Sequence, residues 1–264
     1  MHAATSPRTG TTVMADIICI IGNKGGTGKT SLSHMLCQGL GLLGQRSACV
    51  LTDTAREPLR PDGRRYVTAD ARTPEALTKV ATKLRSLDGW IGVVDGGGNR
   101  HDVDRQLYAL ADIVLLPFRE SHEDIRTVLK DLEHFPRAYA LPSQWPTNPW
   151  AREAADRNVA QMMGAYRHRI LRPVNSLSSS KLLLQSEIPE QLPTQLSNTC
   201  RRLARQMMEV LEIQYTDVAD EPETSSPGAS SAPETGFAAH APAAEPPDEP
   251  CEAPDETMDA YAAH

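Results

Sequence analysis

The segment that most limits what this chain can become is Ile20 to Ser31, IIGNKGGTGKTS. It follows an apolar run, Asp16 to Ile21, and it precedes Leu32, Met35, Leu36, Leu40 and Leu43, which recur at helical spacing. A strand that turns through glycines into a helix gathers backbone N–H groups around one point and adds the positive end of the helix, which makes a phosphate site. Gly25, Gly26 and Gly28 free the backbone for that turn, Lys29 is placed to reach terminal phosphates, and the Thr30 hydroxyl is placed to ligate magnesium. Asn23, Lys24, Thr27 and Ser31 complete the expected nucleotide-contacting stretch. The strict order G-x-x-x-x-G-K-[ST] requires glycine where this chain has Asn23, so the loop departs from the ordinary pattern.

Further apolar runs lie at Ala48 to Thr52, Trp90 to Val94, Ile113 to Leu116 and, less sharply, Ala138 to Leu141. Helical periodicity fills the gaps: Thr73 to Leu87 with Pro74 in its first turn, Val103 to Leu110, Ser121 to Phe135, Trp150 to Met163 and Thr194 to Ile213. Strands alternating with helices predict an α/β fold, a doubly wound and mostly parallel sheet. Two stretches break the rhythm. Residues 54–72, with Pro58, Pro61-Asp62-Gly63 and five arginines, read as a loop or small hairpin; residues 142–149, with three prolines, read as irregular and carry no visible base-reading motif.

Composition divides the chain. The formal net charge of −7 over 264 residues hides an asymmetry: residues 216–264 hold 12 acidic and no Lys or Arg residues, which leaves the first 215 with 27 basic against 22 acidic, a balance of +5. The acidic stretch also holds 8 prolines and few large apolar residues, too little to offset the entropy of ordering, and is expected to be a disordered tail. Residues 1–13 read as a flexible extension, and 14–215 as one nucleotide-binding domain. No run approaches the roughly 18 apolar residues of a membrane span and the start lacks a secretory pattern, so a cytoplasmic protein is expected. Cys19, Cys37, Cys49, Cys200 and Cys251 show no C-x-x-C spacing, which suits reduced thiols better than disulfides or zinc.

Lys24-Gly-Gly-Thr-Gly-Lys29-Thr30 resembles the deviant Walker A motif of the ParA/MinD family of P-loop ATPases (the SIMIBI type), named for its extra early lysine. The likeness runs from Ala15 to Pro117: Thr52-Asp53 stands at the second family motif, Asp95 in GVVDGGG at the Walker B position, and Ala111-Asp112 before an apolar run closed by Pro117 resembles the fourth strand. The resemblance implies ATP and Mg2+ as cofactors, slow and partner-stimulated hydrolysis, and a homodimer closed by ATP. In that dimer Lys24 would reach the phosphates of the partner, Lys29 would hold those of its own chain, and Thr30 and Asp95 would manage the metal. Two departures stand out. The second motif is commonly Asp-x-Asp, whereas here Ala55 occupies the second position if Asp53 is the first; a shift of two residues makes Asp53 the acid that positions water, and both alignments are open. Gly96-Gly97-Gly98-Asn99 replaces the usual proline-containing turn, either to let the backbone approach the γ-phosphate or as a flexible switch.

Within the family, the acidic ending is unlike the basic amphipathic helix of the membrane-cycling branch, and the cysteines do not provide cluster ligands. The chain is most similar to the small ParA-like ATPases of plasmid or chromosome partition. That likeness implies nonspecific DNA binding, a nucleoid association and a ParB-like centromere-binding partner. Candidate DNA contacts are Arg167, Arg169 and Arg172 before Pro173, and Arg201, Arg202 and Arg205 on the polar side of the last helix. The stretch ahead of the first strand is too short for a helix-turn-helix module. The acidic tail would solubilise the chain, tether a basic partner, or compete electrostatically with DNA for the body. Two rival functions are an ATP-gated scaffold with little turnover, in positioning or conjugation, which Ala55 would suit, and a metabolic ligase or kinase of the same fold.

Overall fold

The computed structural model describes residues 15–22, 24–97 and 101–215. Among them, six strands form one parallel sheet: β1 Asp16–Ile20, β2 Arg46–Leu51, β3 Val67–Asp70, β4 Trp90–Asp95, β5 Ile113–Phe118 and β6 Ala138–Pro142. Their order across the sheet is β3-β2-β4-β1-β5-β6. β1 is therefore central, with Ile18 opposite Val93 on one side and Ile113 on the other. The chain leaves β1 in one direction for β2 and β3, then returns past it to β5 and β6. This reversal opens a crevice beyond the carboxyl end of β1.

The same path sorts the helices. With right-handed crossovers, the outward step from β1 places α1 (Lys29–Leu42) on one face, and the returning steps place α2 (Pro74–Arg85), α3 (His101–Leu110) and α4 (His122–His134) on the other. The two cores obey that rule: Leu32, Leu36 and Leu40 of α1 pack with Ile18 and Ile20, whereas Leu84, Leu107, Ile125 and Val128 pack with Ile17, Cys19 and Ile21. β1 is thus apolar on both faces, and its continuous apolar run rather than alternation is the expected signature. α5 (Pro149–Met162) joins the second face, and α6 (Thr194–Val210) joins α1 through Leu196, Cys200, Leu203 and Met207. α1 and α6 meet at Gly39, where a methyl group would lie 2.0 Å from the Cys200 carbonyl oxygen.

Helix starts follow the local chemistry. The Thr73 hydroxyl accepts from the Ala76 amide and Pro74 opens α2; the Asn148 side chain accepts from the Trp150 and Ala151 amides and Pro149 opens α5. Residues 54–72 depart from the expected loop or hairpin. Their end is β3, an edge strand lying parallel to β2 with Ala48 opposite Val67, and its four residues, Val-Thr-Ala-Asp, half or fully exposed, are too few and too mixed to make the apolar run that marks the inner strands. Residues 142–149 are irregular, as their prolines imply, yet anchored: Trp145 is buried edge-on against Phe118 and its indole N–H donates to Asp156. Gly164–Arg169 and Ser178–Leu184 form 3₁₀ segments that helical periodicity does not mark. Cys19, Cys37, Cys49 and Cys200 are buried free thiols. No helix among the described residues is long and apolar enough to cross a membrane. The expected extension (1–13), the tail (216–264), Asn23 and the Gly98-Asn99 pair lie outside the described residues.

Candidate functional site

At the carboxyl end of β1 the backbone turns through Gly26 (φ +76°) and Gly28 (φ +84°) before α1 begins at Lys29. These left-handed conformations are natural to glycine and strained for other residues. Among the described residues, nothing accepts a hydrogen bond from the amides of residues 25–31, which is the unfilled donor set of a helix N-terminus. The loop is braced from β6: the Ser143 hydroxyl lies 2.8 Å from the Thr27 carbonyl, and the Gln144 side chain donates to the Gly26 carbonyl at 3.1 Å. Gln144 itself has φ +51°.

Lys29 is 6% exposed, and its ammonium donates to the carbonyls of Gly22 (3.1 Å) and Lys24 (2.8 Å). Burial lowers its proton affinity, opposed by the nearby carboxylates of Asp104, Asp95, Asp131 and Asp53. Asp104 and Asp131, on α3 and α4, are buried beneath the loop. Sequence pattern does not single them out, because only the fold brings α3 and α4 to Lys29.

Lys24 turns to the start of α4. Its ammonium lies 2.5 Å from Asp124 Oδ1 and 2.9 Å from Glu123 Oε2. The hydrogen bonds to Asp124 and then Glu123 raise its proton affinity. Asp124 completes a reciprocal cap, accepting from the Ser121 hydroxyl at 2.7 Å while its amide donates to that hydroxyl, and it also accepts from the Arg119 amide. Burial pushes its carboxyl up, but Lys24, Ser121 and the Arg119 amide together hold it below the usual range.

The metal-side candidates Thr30 and Asp95 come together, at the start of α1 and the end of β4, and line one cavity. Asp95 is 1% exposed, and among the described residues neither of its carboxylate oxygens has a hydrogen-bond partner. Burial pushes its carboxyl up; the Thr30 hydroxyl, Arg56 and the Gly97 amide pull the other way without closing a bond of good geometry. Such a buried, unpartnered carboxylate beside a hydroxyl fits a divalent cation with oxygen ligands. Asp53 lies next to Gly97 and is held in its own turn, accepting from the Ala55 amide at 3.0 Å and from Arg56 at 3.2 Å.

Two of the cavities beside the loop bear on the site. One, of about 300 Å³, runs from Gly28 and Ser31 along Ser143, Gln144 and Asn175. It continues the phosphate cradle, and its size is at the low end for ligand pockets. The other, of about 500 Å³, lies past Thr30 and Asp95 under the segment from Arg56 to Pro61.

The arginines separate. Arg167 and Arg202 are exposed. Arg169 donates to the carbonyls of Leu132, Phe135 and Ala138 and so closes the end of α4. Arg201 is 7% exposed and bonded to Asn198, which corrects its expected place on the polar side of the last helix: the apolar stripe of α6 is wide enough to include it. Arg172, which pairs with Glu209, lines one groove with Arg202 and Arg205.

A glycine-turned cradle at the switch point of a parallel sheet, with a buried lysine and a buried acid beside it, is the architecture of a phosphate-loop fold. The fold is that of the ParA/MinD P-loop ATPases. The chain is similar to a Cyanothece McdA variant solved with ATP (14% identity, 78% of this chain and 100% of that one, TM-score 0.55). It is similar also to a Borrelia burgdorferi plasmid partition protein bound to AMPPNP (12%, 74% and 99%, 0.57) and to Aquifex aeolicus MinD (16%, 74% and 98%, 0.56). No family model and no curated protein matches the sequence.

Proposed function

We propose that this chain is an ATPase that pairs with a second copy on binding ATP, holds DNA without sequence preference and drives partition of a plasmid or chromosome with a ParB-like partner. The observation that carries the nucleotide half is Asp95: a buried carboxylate without a hydrogen-bond partner among the described residues, set beside Thr30 at the mouth of a glycine cradle, makes sense as a metal-phosphate site. Gly25, Gly26, Thr27, Gly28, Lys29 and Ser31 would hold the phosphates, and Ser143 and Asn175 would flank the nucleoside. Thr30 and Asp95 would hold magnesium, which when bound shields the phosphate oxygens from one another. Lys29 would exchange the Gly22 and Lys24 carbonyls for phosphate oxygens. Lys24 would lend its charge to the twin molecule, and Asp53, once freed from Arg56, would be the acid that orients water.

DNA contact is assigned to the exposed Arg167 and to the groove of Arg172, Arg202 and Arg205, where phosphate contacts give salt-sensitive, sequence-tolerant affinity. Purified chain with Mg-ATP is expected to sediment as a dimer and to retain arbitrary duplex DNA at low salt. The reading is falsified if ATP-loaded protein neither pairs nor retains DNA under those conditions.

One observation favours a second reading, a ligase or kinase with a small-molecule substrate: the 500 Å³ cavity opens directly onto Asp95 and Thr30. On that reading a small metabolite, and not DNA, accelerates phosphate release. Measuring release with each addition separates the two.

A further inference from the structure

Lys24 bears two connections at once. Its ammonium is anchored on the first turn of α4, and its carbonyl accepts from Lys29, so the two lysines of the loop are linked through one peptide unit. Nucleotide that draws Lys29 onto phosphate removes the second connection and frees the backbone that carries Lys24.

The anchor is built for exchange. Asp124 has a side chain only 1% exposed, whereas that of Glu123 is 81% exposed, so the buried carboxylate holds the lysine and the outer one adds a screened contact. A buried carboxylate that lost its only partner would make departure prohibitive. Asp124 is not in that position. Without Lys24 it still accepts from the Ser121 hydroxyl and the Arg119 amide, and the Arg119 guanidinium stands 3.6 Å away, ready to close in. Both arrangements leave the carboxylate satisfied, which is the condition for a two-state element biased by a ligand.

We propose that Asp124 is a positioning residue for Lys24: it holds the ammonium on the chain's own α4 and thereby sets how readily Lys24 is released to the phosphates of a second molecule. The proposal rests on the reading of the chain as an ATP-paired ATPase. It adds that the acid at the third position of α4 competes with the twin's nucleotide for one cation. Arg119, lying over Gly26, is the group that takes over the carboxylate when the lysine leaves.

The test uses the full chain and three substitutions, Asp124→Asn, Lys24→Gln and Ser121→Ala. In ligand-free protein carrying 13C-methylated lysines, the Lys24 signal is expected to titrate above the ordinary lysine value and to return toward it in D124N. In Mg-ATP, sedimentation velocity is expected to show D124N pairing about ten-fold more tightly than the unsubstituted chain, a modest population shift. K24Q should pair weakly, and adding D124N to K24Q should change nothing further. S121A keeps the carboxylate but weakens the cap, and should lower the melting temperature without tightening pairing. An unmoved Lys24 signal in D124N overturns the anchor. Equal tightening with and without Lys24, or the same tightening in S121A, overturns the competition and leaves only a helix cap. Failure of the unsubstituted chain to pair in Mg-ATP is a different result: it sinks the functional reading and the competition built on it, while the ligand-free titration still passes or fails the anchor by itself.

Discussion

On the proposed reading Lys29 concentrates the chemistry of the loop, because the ammonium that holds the Gly22 and Lys24 carbonyls would turn to phosphate. Lys29→Met is expected to weaken nucleotide binding about 10- to 150-fold, the range set by a charge-assisted hydrogen bond of roughly 1.5–3 kcal/mol; titration with a fluorescent ATP analogue reads it directly. Asp95 carries the opposite burden: without a cation its buried carboxylate opposes folding, as its raised proton affinity indicates. Asp95→Asn should therefore raise the melting temperature of the ligand-free chain, by about 2–4 °C for each kcal/mol relieved, while abolishing the further rise that magnesium and ATP give the unsubstituted protein. Asp124 works the other way. Its carboxyl sits below the ordinary range in the fold, so its contribution is complete above the unfolded-state value near about 3.9 and disappears as pH falls through the lower folded value. In D124N the urea midpoint should accordingly fall less steeply on acidification below about pH 4. The contiguous residues of this site were legible in the sequence because one strand-loop-helix turn presents them together. Asp124, Asp104, Asp131 and Ser143 were not, since each reaches the loop only when α3, α4 and β6 assemble around β1; Ser121-x-x-Asp124 spells a helix cap, and nothing local says that a lysine a hundred residues earlier will share it.

At the scale of elements, legibility followed burial. β1, β2, β4, β5 and β6 announce themselves by apolar runs because the sheet is covered on both faces, and α2 and α5 by Thr73-Pro74 and Asn148-Pro149. β3 stayed hidden among prolines and arginines because its residues are half or fully exposed, whereas those of the other edge strand, β6, are mostly buried; its pairing with β2 defines it, and that is a tertiary fact. Arg201 shows the limit of helical-wheel reasoning. A charge on α6 reads as a surface residue until Asn198 on the same helix and the surrounding packing enclose it. A close helix contact is equally silent in sequence: Gly39 permits α1 and α6 to touch at the Cys200 carbonyl. Gly39→Ala must push the helices apart, since the obstacle is backbone. Overpacking of this kind costs about 1–3 kcal/mol, so a melting temperature unchanged by the substitution would contradict the α1–α6 packing described above. The effect should fall on stability, with nucleotide affinity in the surviving folded protein close to that of the unsubstituted chain, because Gly39 lies nearly three turns from the loop.

For the whole molecule, charge is partitioned so that the net value misleads. The first 215 residues balance at +5, and every excess negative charge belongs to residues 216–264. If the chain holds DNA as proposed, the interface must be local to the first 215 residues, and the groove of Arg172, Arg202 and Arg205 brings together residues some thirty positions apart in sequence. Each arginine that displaces a counterion from duplex DNA contributes about 0.9 to the slope of log affinity against log salt. Arg202→Ala should lower that slope by about 0.9 and weaken all sequences alike. Arg201→Ala, removing a buried side chain, should lower the melting temperature and leave the slope of the folded protein intact. If the acidic residues of 216–264 compete with DNA for this groove, raising salt weakens two opposed attractions at once, so the full chain should show a shallower slope than a chain ending at 215. Equal slopes for the two lengths, measured by retention of arbitrary duplex between about 50 and 200 mM salt, would assign the acidic stretch to solubility and leave the groove uncontested.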